Sequence, residues 1–309
     1  MTDARPGVDT STMVRVPGGT TLVGSTRFYP EEGPVREVTV SDVWFDPTPV
    51  TNAEFARFVA DTGHVTVPEQ ELDAAAFPGA DPELLVPGSQ VFTQTSGPVP
   101  LSDWTQWWRW QPGAQWRAPQ GPGSTWEDIP DHPVVHMGWQ DATAYARWVG
   151  KGLPTESEWE YAARGGLRGT DFAWGDDAAP DGAVLANTWR GPFPWRSEDP
   201  DGFSRTSPVG YYPVNGYGLH DMIGNVWEWT ASPWTPNHAD SGVPAPTSRP
   251  SAPCCGGSAP LREADQMVTK GGSHLCSPDY CLRYRPAARQ GHGVNDTTSH
   301  VGFRCVLRA

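Results

Sequence analysis

Glycine (34 residues) and proline (33) together make up more than a fifth of this 309-residue chain, and no other feature constrains its fold as strongly. Glycine opens the left-handed backbone region, while proline fixes φ and removes a donor, so a chain rich in both is cut into short elements joined by turns. Long helices, helical bundles and solenoids are excluded. Disorder is disfavoured too, because 16 tryptophans and 37% hydrophobic residues supply ample surface for a packed core. Strand signals occur at both ends and no clean linker divides the chain. The pattern therefore predicts one α+β domain, with a few short helices around irregular, mostly antiparallel strands. Residues 1–11, small and polar, are expected to form a flexible N-terminus, and residues 12–309 the domain.

The 22 basic residues face 36 acidic ones, a net charge of −14, which leaves no broad footprint for nucleic acid or anionic membrane. The start of the chain lacks a basic segment followed by an apolar stretch, and no run approaches the roughly 18–20 apolar residues of a membrane span. A cytoplasmic, soluble monomer is expected. Five cysteines (Cys254, Cys255, Cys276, Cys281, Cys305) are an odd number and too few for a disulfide scaffold of this length.

Alternation from Met13 followed by Pro17-Gly-Gly19 reads as a strand entering a hairpin, and Val35–Phe45 reads as further strand. Thr51 with Glu54, and Thr155 with Glu158, form two capping boxes. They predict a helix carrying Phe55, Phe58 and Val59 and ending at Gly63, and another carrying Trp159, Ala162 and Ala163 and ending at Gly165. A helix after Trp139 is expected to carry Ala144, Tyr145 and Trp148 on one face. Residues 68–131, with Trp104, Trp107, Trp108, Trp110, Trp116 and Trp126, fit neither period. That stretch reads as a long loop whose rings mostly pack on the body, with a groove-lining role as the alternative. Residues 231–260 read as a surface excursion.

Three constellations carry chemistry. In Lys270-Gly-Gly-Ser-His-Leu-Cys276-Ser-Pro-Asp-Tyr-Cys281, cysteines five apart would point about 140° apart on a helix, so joint action needs a looped backbone, which Pro278 favours. Two thiolates suit copper(I) or an exchangeable disulfide better than tetrahedral zinc, although a pair of ordinary buried thiols fits the spacing equally well. Arg283 and Arg285 stand nearby to favour thiolate. The second constellation runs from Asn187 to Phe203 and the third from Gly218 to Trp229. Each combines carboxylates with glycine turns in a way that suits a hard cation, or else a packed turn. His132 and His136 flank Pro133 and do not read as a ligand pair. No phosphate loop or nucleophile elbow is present.

Several segments, taken together, resemble the formylglycine-generating enzyme family, also called sulfatase-modifying factors. They are Val16-Pro-Gly-Gly19, Pro49-Val-Thr-Asn52, His132-Pro-Val-Val-His136, Leu153-Pro-Thr-Glu-Ser-Glu-Trp-Glu-Tyr-Ala-Ala-Arg-Gly-Gly166, Gly224-Asn-Val-Trp-Glu-Trp229, Lys270-Gly-Gly-Ser273 and Gly302-Phe-Arg-Cys305. Most are shared by the wider superfamily and speak for the fold. The Cys276/Cys281 pair resembles the enzymes themselves.

The resemblance implies a single C-type-lectin-like domain with little regular structure. It implies an oxidase that converts the cysteine of a Cys-x-Pro-x-Arg motif in an unfolded or nascent sulfatase to Cα-formylglycine, using dioxygen and a thiol reductant. Cys276 and Cys281 would hold copper(I), Ser273 and Trp227 would line the oxygen pocket, and Tyr280 would belong to the active site. Two Ca2+ sites are implied, one from Asn187, Thr188, Asp201 and Phe203, the other from Asp221, Gly224, Val226 and Glu228. Thr188, Phe203, Gly224 and Val226 would contribute carbonyls. The chain departs from the family at His300 and at Asp221, where asparagine is usual, and at Ala146, which leaves Cys305 expected as a free, buried thiol. The alternative reading is a non-catalytic ligand- or protein-binding module of the same fold.

Overall fold

Thr51 and Thr155 each start a helix in the computed structural model, which describes residues 9–72, 79, 85–199, 201–238 and 265–308. Helix α1 (Asn52–Thr62) begins where the Glu54 N–H donates to Thr51 Oγ1 at 3.2 Å and the Thr51 N–H donates back to Glu54 Oε2 at 2.9 Å. It ends at Gly63, whose φ of +67° suits the left-handed cap. Helix α2 is Trp139–Trp148 and α3 is Glu156–Ala163, the latter opened by the Thr155/Glu158 box. The expected face of α2 is only partly right. Tyr145 is buried with Ala142 and Ala146, whereas Trp148 is 39% exposed and donates its indole N–H to Asp61 at 2.7 Å.

Among the described residues the strands form four small sheets. β1 (Val14–Val16), β4 (Val43–Phe45) and β11 (Val306–Arg308) make an antiparallel sheet that joins the two ends of the described chain. β2 (Gly19–Val23) pairs with β3 (Arg36–Val40), and β5 (Gly88–Phe92) with β6 (Trp108–Pro112). The fourth sheet runs β10–β7–β8–β9, built from Val301–Gly302, Trp227–Pro233, Gln266–Lys270 and Arg289–Gly293; β10 lies parallel to β7 and the other pairs are antiparallel.

Two expectations are corrected here. β1 does not turn back on its sequence neighbour: Val14 pairs with Phe45, and the hairpin partner of β2 is β3. The stretch 68–131 is not a bare loop, since it contributes β5 and β6. β5 is buried at four of its five positions and shows no alternation, and the Trp108-Arg109-Trp110-Gln111 alternation of β6 is short. The expectations for residues 1–8 and for Cys254 and Cys255 fall outside the described residues.

One main core gathers Phe45, Phe55, Trp159, Trp229 and Phe303, each 0% exposed. Ion pairs run through it. Arg304 meets Glu228 at 2.7 Å, and Trp159 Nε1 donates to the same carboxylate at 2.7 Å. Lys270 at the end of β8 reaches Glu160 at 3.0 Å, Arg164 reaches Glu160 at 2.7 Å, and Arg289 reaches Glu156 at 2.6 Å. Burial works against the charged forms of Glu156 and Glu160, but the His238 hydrogen bond and Lys270 at the first, and Lys270 and Arg164 at the second, outweigh it and hold both carboxyls at about 2. Among the described residues no helix is long and apolar enough to cross a membrane.

Buried titratable groups set an acid limit. Burial drives His136 and His292 down to about 4, so both are neutral in the native protein at neutral pH. Between roughly pH 6.5 and 4 the unfolded chain binds protons there that the native chain does not, and stability falls as pH falls, by up to about 1.4 kcal/mol per pH unit for each histidine. Glu156 and Glu160, depressed in the native state, lose their contribution in the same direction below about 4.5. The melting temperature is therefore expected to drop steadily from pH 6.5 and more steeply below 4.5; a flat profile from 6.5 to 4 would contradict these assignments.

Candidate active site

The site begins where β8 runs out at Lys270. Gly271 and Gly272 have φ of +93° and +71°, and a Cβ on Gly271 would lie 2.9 Å from the Trp159 ring, one on Gly272 2.7 Å from the Arg283 carbonyl. Only glycine fits both the backbone angles and the contacts. The chain then turns twice: the Cys276 N–H donates to the Ser273 carbonyl at 2.9 Å, and the Cys281 N–H to the Ser277 carbonyl at 2.8 Å. These turns bring Sγ of Cys276 and Sγ of Cys281 to 3.4 Å, both as free thiols. The looped backbone anticipated from their spacing is what joins them.

The segment after Cys281 is clamped by the connection between β2 and β3. Arg285 pairs with the fully buried Glu32, Arg283 pairs with Glu31 at 2.6 Å and lies 3.8 Å over the Tyr29 ring, and Tyr29 Oη accepts the Leu282 N–H at 3.1 Å. The electrostatics of the two thiols diverge. Burial disfavours the Cys276 thiolate, but the hydrogen bond from Cys281, the Ser273 N–H at 3.4 Å and the Arg283 guanidinium favour it, and its pKa lies below the usual thiol range. That same hydrogen bond, then burial and the charge on Cys276, push Cys281 well above the range. Of the two sulfurs, Cys276 is therefore the one whose thiolate form the surroundings favour.

Both sulfurs border a cavity of about 800 Å³. Its walls include Ser273, Trp227, Tyr280 and Phe193, four tryptophans from the 104–110 segment, and His292 and His300. Tyr280 stacks on Phe193 with centroids 4.7 Å apart, and the Trp107 ring stands edge-on to Tyr280 at 5.2 Å. Of the six tryptophans of residues 68–131, Trp104, Trp107, Trp108 and Trp110 line the cavity. The other two pack inward, Trp116 on Phe55 at 5.3 Å and Trp126 on Trp116 at 6.1 Å. The groove-lining role, the less favoured of the two expectations, holds for four of them. His292 and His300 were not singled out as site residues by residue type, because no spacing joined them to the cysteines. Strands β9 and β10 bring them there.

The residues expected around hard cations lie in two adjoining loops: the Asn225 N–H donates to the Asn187 carbonyl at 2.8 Å, and a Cβ on Gly224 would stand 2.5 Å from that oxygen. Asn187 Nδ2 donates to the Arg205 carbonyl at 2.8 Å, Asp201 accepts from the Tyr212 hydroxyl at 2.9 Å, and the Phe203 ring meets Tyr211 at 4.9 Å. Thr188 borders a second cavity of about 400 Å³ behind the cysteine loop. Asp221, with φ of +53°, is buried and accepts the Gly210 N–H at 2.8 Å, and burial raises its pKa. Val226 is buried. Three donors, two from Arg304 and one from Trp159, already sit on the Glu228 carboxylate. Among the described residues no three His, Cys, Asp or Glu side chains converge on one point, so a cation in either loop would depend on amide and carbonyl oxygens as well. His132 and His136 bond elsewhere, to Thr206 and to Ser89 and Pro119. Cys305 is the free, buried thiol expected.

A family model described as the sulfatase-modifying factor enzyme 1-like domain matches residues 2–309. The chain belongs to the sulfatase-modifying factor family. Within that family it is 52% identical over 297 residues, 95% of this chain and 97% of the relative, to a protein of Mycobacterium tuberculosis named formylglycine-generating enzyme. It is 40% identical to a bovine protein of the same name, over 98% of this chain and 76% of that one. A mouse relative called inactive C-alpha-formylglycine-generating enzyme 2 is 38% identical over 96% of this chain and 86% of its own. Among solved structures, PvdO from Pseudomonas aeruginosa superposes with a TM-score of 0.63 at 25% identity, covering 96% of this chain and 94% of that one. A variable protein of Treponema denticola shares the fold at a TM-score of 0.55 and 18% identity, over 96% and 95% of the chains. The fold is the expected C-type-lectin-like α+β domain with little regular secondary structure.

Proposed function

We propose that this sulfatase-modifying factor is a formylglycine-generating oxidase that holds copper(I) between Cys276 and Cys281 and acts on the cysteine of a Cys-x-Pro-x-Arg segment in an unfolded sulfatase. The single observation that carries this reading is the pair of free thiols 3.4 Å apart on the wall of an open cavity of about 800 Å³. The fold alone does not carry it, since a relative called inactive aligns over 96% of the chain.

The donor set fits the metal. Two soft sulfurs, one already favoured as thiolate and the other needing to lose only its proton, suit copper(I), and no third ligand side chain of the His, Cys, Asp or Glu type converges on them among the described residues. Copper(I) bound there would supply the one-electron and dioxygen chemistry that side chains lack. The chain does the rest. Its tryptophan-lined cavity has room for an extended segment beside the sulfurs, and the Ser273 N–H steadies the Cys276 sulfur at 3.4 Å. In the overall balance the substrate Cβ–S unit gives up two electrons and two protons, two molecules of thiol reductant give up two more of each, and dioxygen becomes two waters. Hydrolysis of the resulting thioaldehyde leaves the aldehyde and releases hydrogen sulfide.

We also infer bound calcium in the two adjoining loops and a reducing, cytoplasmic setting in which the thiol pair stays reduced. Chelating calcium is expected to lower stability far more than turnover. An ion present at a hundred times its Kd contributes about 2.7 kcal/mol, a melting shift of roughly 5 °C. A melting temperature unchanged after prolonged chelation would remove calcium from the account. The oxidase reading is tested by incubating the copper(I)-loaded protein with a Cys-x-Pro-x-Arg peptide, dioxygen and a thiol, then measuring peptide mass. Conversion of thiol to aldehyde is expected; an unchanged peptide favours a binding module.

A further inference from the structure

His300 lies on the cavity wall beside the cysteine loop, and the hydrogen bonds around it favour one of its two tautomers. Ser273 Oγ accepts the Leu275 N–H at 3.2 Å and lies 3.2 Å from His300 Nδ1. Among the described residues no other protein group stands ready to accept the serine hydroxyl proton, which favours Ser273 as the donor and Nδ1 as the acceptor. An accepting Nδ1 places the imidazole proton on Nε2. Burial, with His292, His274 and His136 as neighbours, lowers the His300 pKa well below the usual range, so the ring stays neutral and keeps this tautomer.

The ring cannot easily turn away. Its centroid sits 4.8 Å from Trp108, edge to face, and the His300 carbonyl accepts the Trp227 N–H at 2.9 Å. Among the described residues Nε2 has no protein acceptor and is not sealed off from solvent, and the residue lines the cavity that holds both sulfurs. The structure therefore presents one oriented, unspent donor to whatever occupies that cavity.

Given the proposed function, we propose that His300 is a substrate-contact residue whose Nε2–H donates to a main-chain carbonyl of the substrate next to its reacting cysteine. The chemistry of a Cys-x-Pro-x-Arg segment supports a carbonyl as the acceptor. Proline has no N–H, and the residue before it is held extended, so the backbone in this stretch offers carbonyls that no internal helix or turn uses. Asparagine, usual in the family at this position, can also accept with one atom and donate with another, but histidine reaches further from its backbone. The contact would fix the orientation of the cysteine side chain toward the two sulfurs.

The test measures binding of a labelled Cys-x-Pro-x-Arg peptide without oxygen, which prevents turnover, by anisotropy on wild type, His300→Phe and His300→Gln. His300→Phe keeps the ring but loses both nitrogens and is expected to bind about three- to ten-fold more weakly, the worth of one hydrogen bond. His300→Gln, which can accept and donate, is expected to recover most of that loss. Nitrogen-15 NMR of the histidines in the wild-type protein should show His300 protonated at Nε2, with that N–H signal shifting when peptide is added. Equal binding by wild type and His300→Phe, or a proton found on Nδ1, overturns the assignment while leaving the oxidase reading intact. Failure of the wild-type protein itself to bind the peptide would overturn the oxidase reading, and this inference with it.

Discussion

Replacing Cys276 or Cys281 with serine is expected to cut turnover by at least about a thousandfold, equivalent to roughly 4 kcal/mol of transition-state stabilisation. Serine is nearly the same size and its hydroxyl finds the same neighbours, so the fold should survive. What changes is the donor: a hard oxygen that stays protonated replaces a soft sulfur that copper(I) prefers. The two mutants test different halves of the pair. The thiolate of Cys276 is favoured by Cys281, the Ser273 N–H and Arg283, while Cys281 is pushed well above the usual thiol range. Neither half works alone in this account, so both substitutions should fail, and the double mutant should be no worse than either single one. The check is peptide turnover beside a melting curve. A folded mutant with activity near wild type would end the assignment.

The largest expected effect on stability comes from Arg304→Met. Arg304 and Glu228 are both 0% exposed, and the guanidinium supplies two of the three donors on that carboxylate. Arg304 also donates to the Pro47 and His220 carbonyls at 3.3 and 2.9 Å, so it ties the C-terminal segment to the chain ahead of α1 and to the loop before β7. Removing one partner of a buried pair strands the other charge, at a cost of about 3–5 kcal/mol, a fall in melting temperature of roughly 10 °C. Measured with calcium chelated throughout, Arg304→Met combined with Glu228→Leu removes both charges and should recover part of the loss, because the penalty lies in the orphaned carboxylate more than in the lost attraction. The pair of melting curves checks this. No recovery in the double mutant would mean that Arg304 acts mainly through its carbonyl contacts.

The sequence made local features legible and long-range ones obscure, for a physical reason. A capping box is written within four residues, and both predicted boxes formed with the expected bonds. The double glycine before Ser273 is likewise explained by its own backbone angles and close contacts. Pairing across distance is not written locally. The alternation of β1 is visible, but that it pairs with β4 and not with its neighbour depends on the closure of β11 onto β4 from the far end of the chain. The ribbon of β5 and β6 escaped notice because β5, Gly-Ser-Gln-Val-Phe, is buried at four of its five positions and shows no alternation, while the Trp108-Arg109-Trp110-Gln111 alternation of β6 is short. His300 could not be joined to Ser273 by spacing, being 27 positions away, and only β10 beside β7 brings the two together. For the cysteines, spacing said how the backbone must run, and resemblance said why it should.

The most direct measurement is copper(I) titration of the reduced protein against a competing chelator, followed by X-ray absorption at the copper edge. The account predicts one copper per chain with two sulfur neighbours, and loss of that site when either Cys276 or Cys281 is serine. Copper bound by nitrogen or oxygen donors, or a two-sulfur site that survives both substitutions, would contradict it.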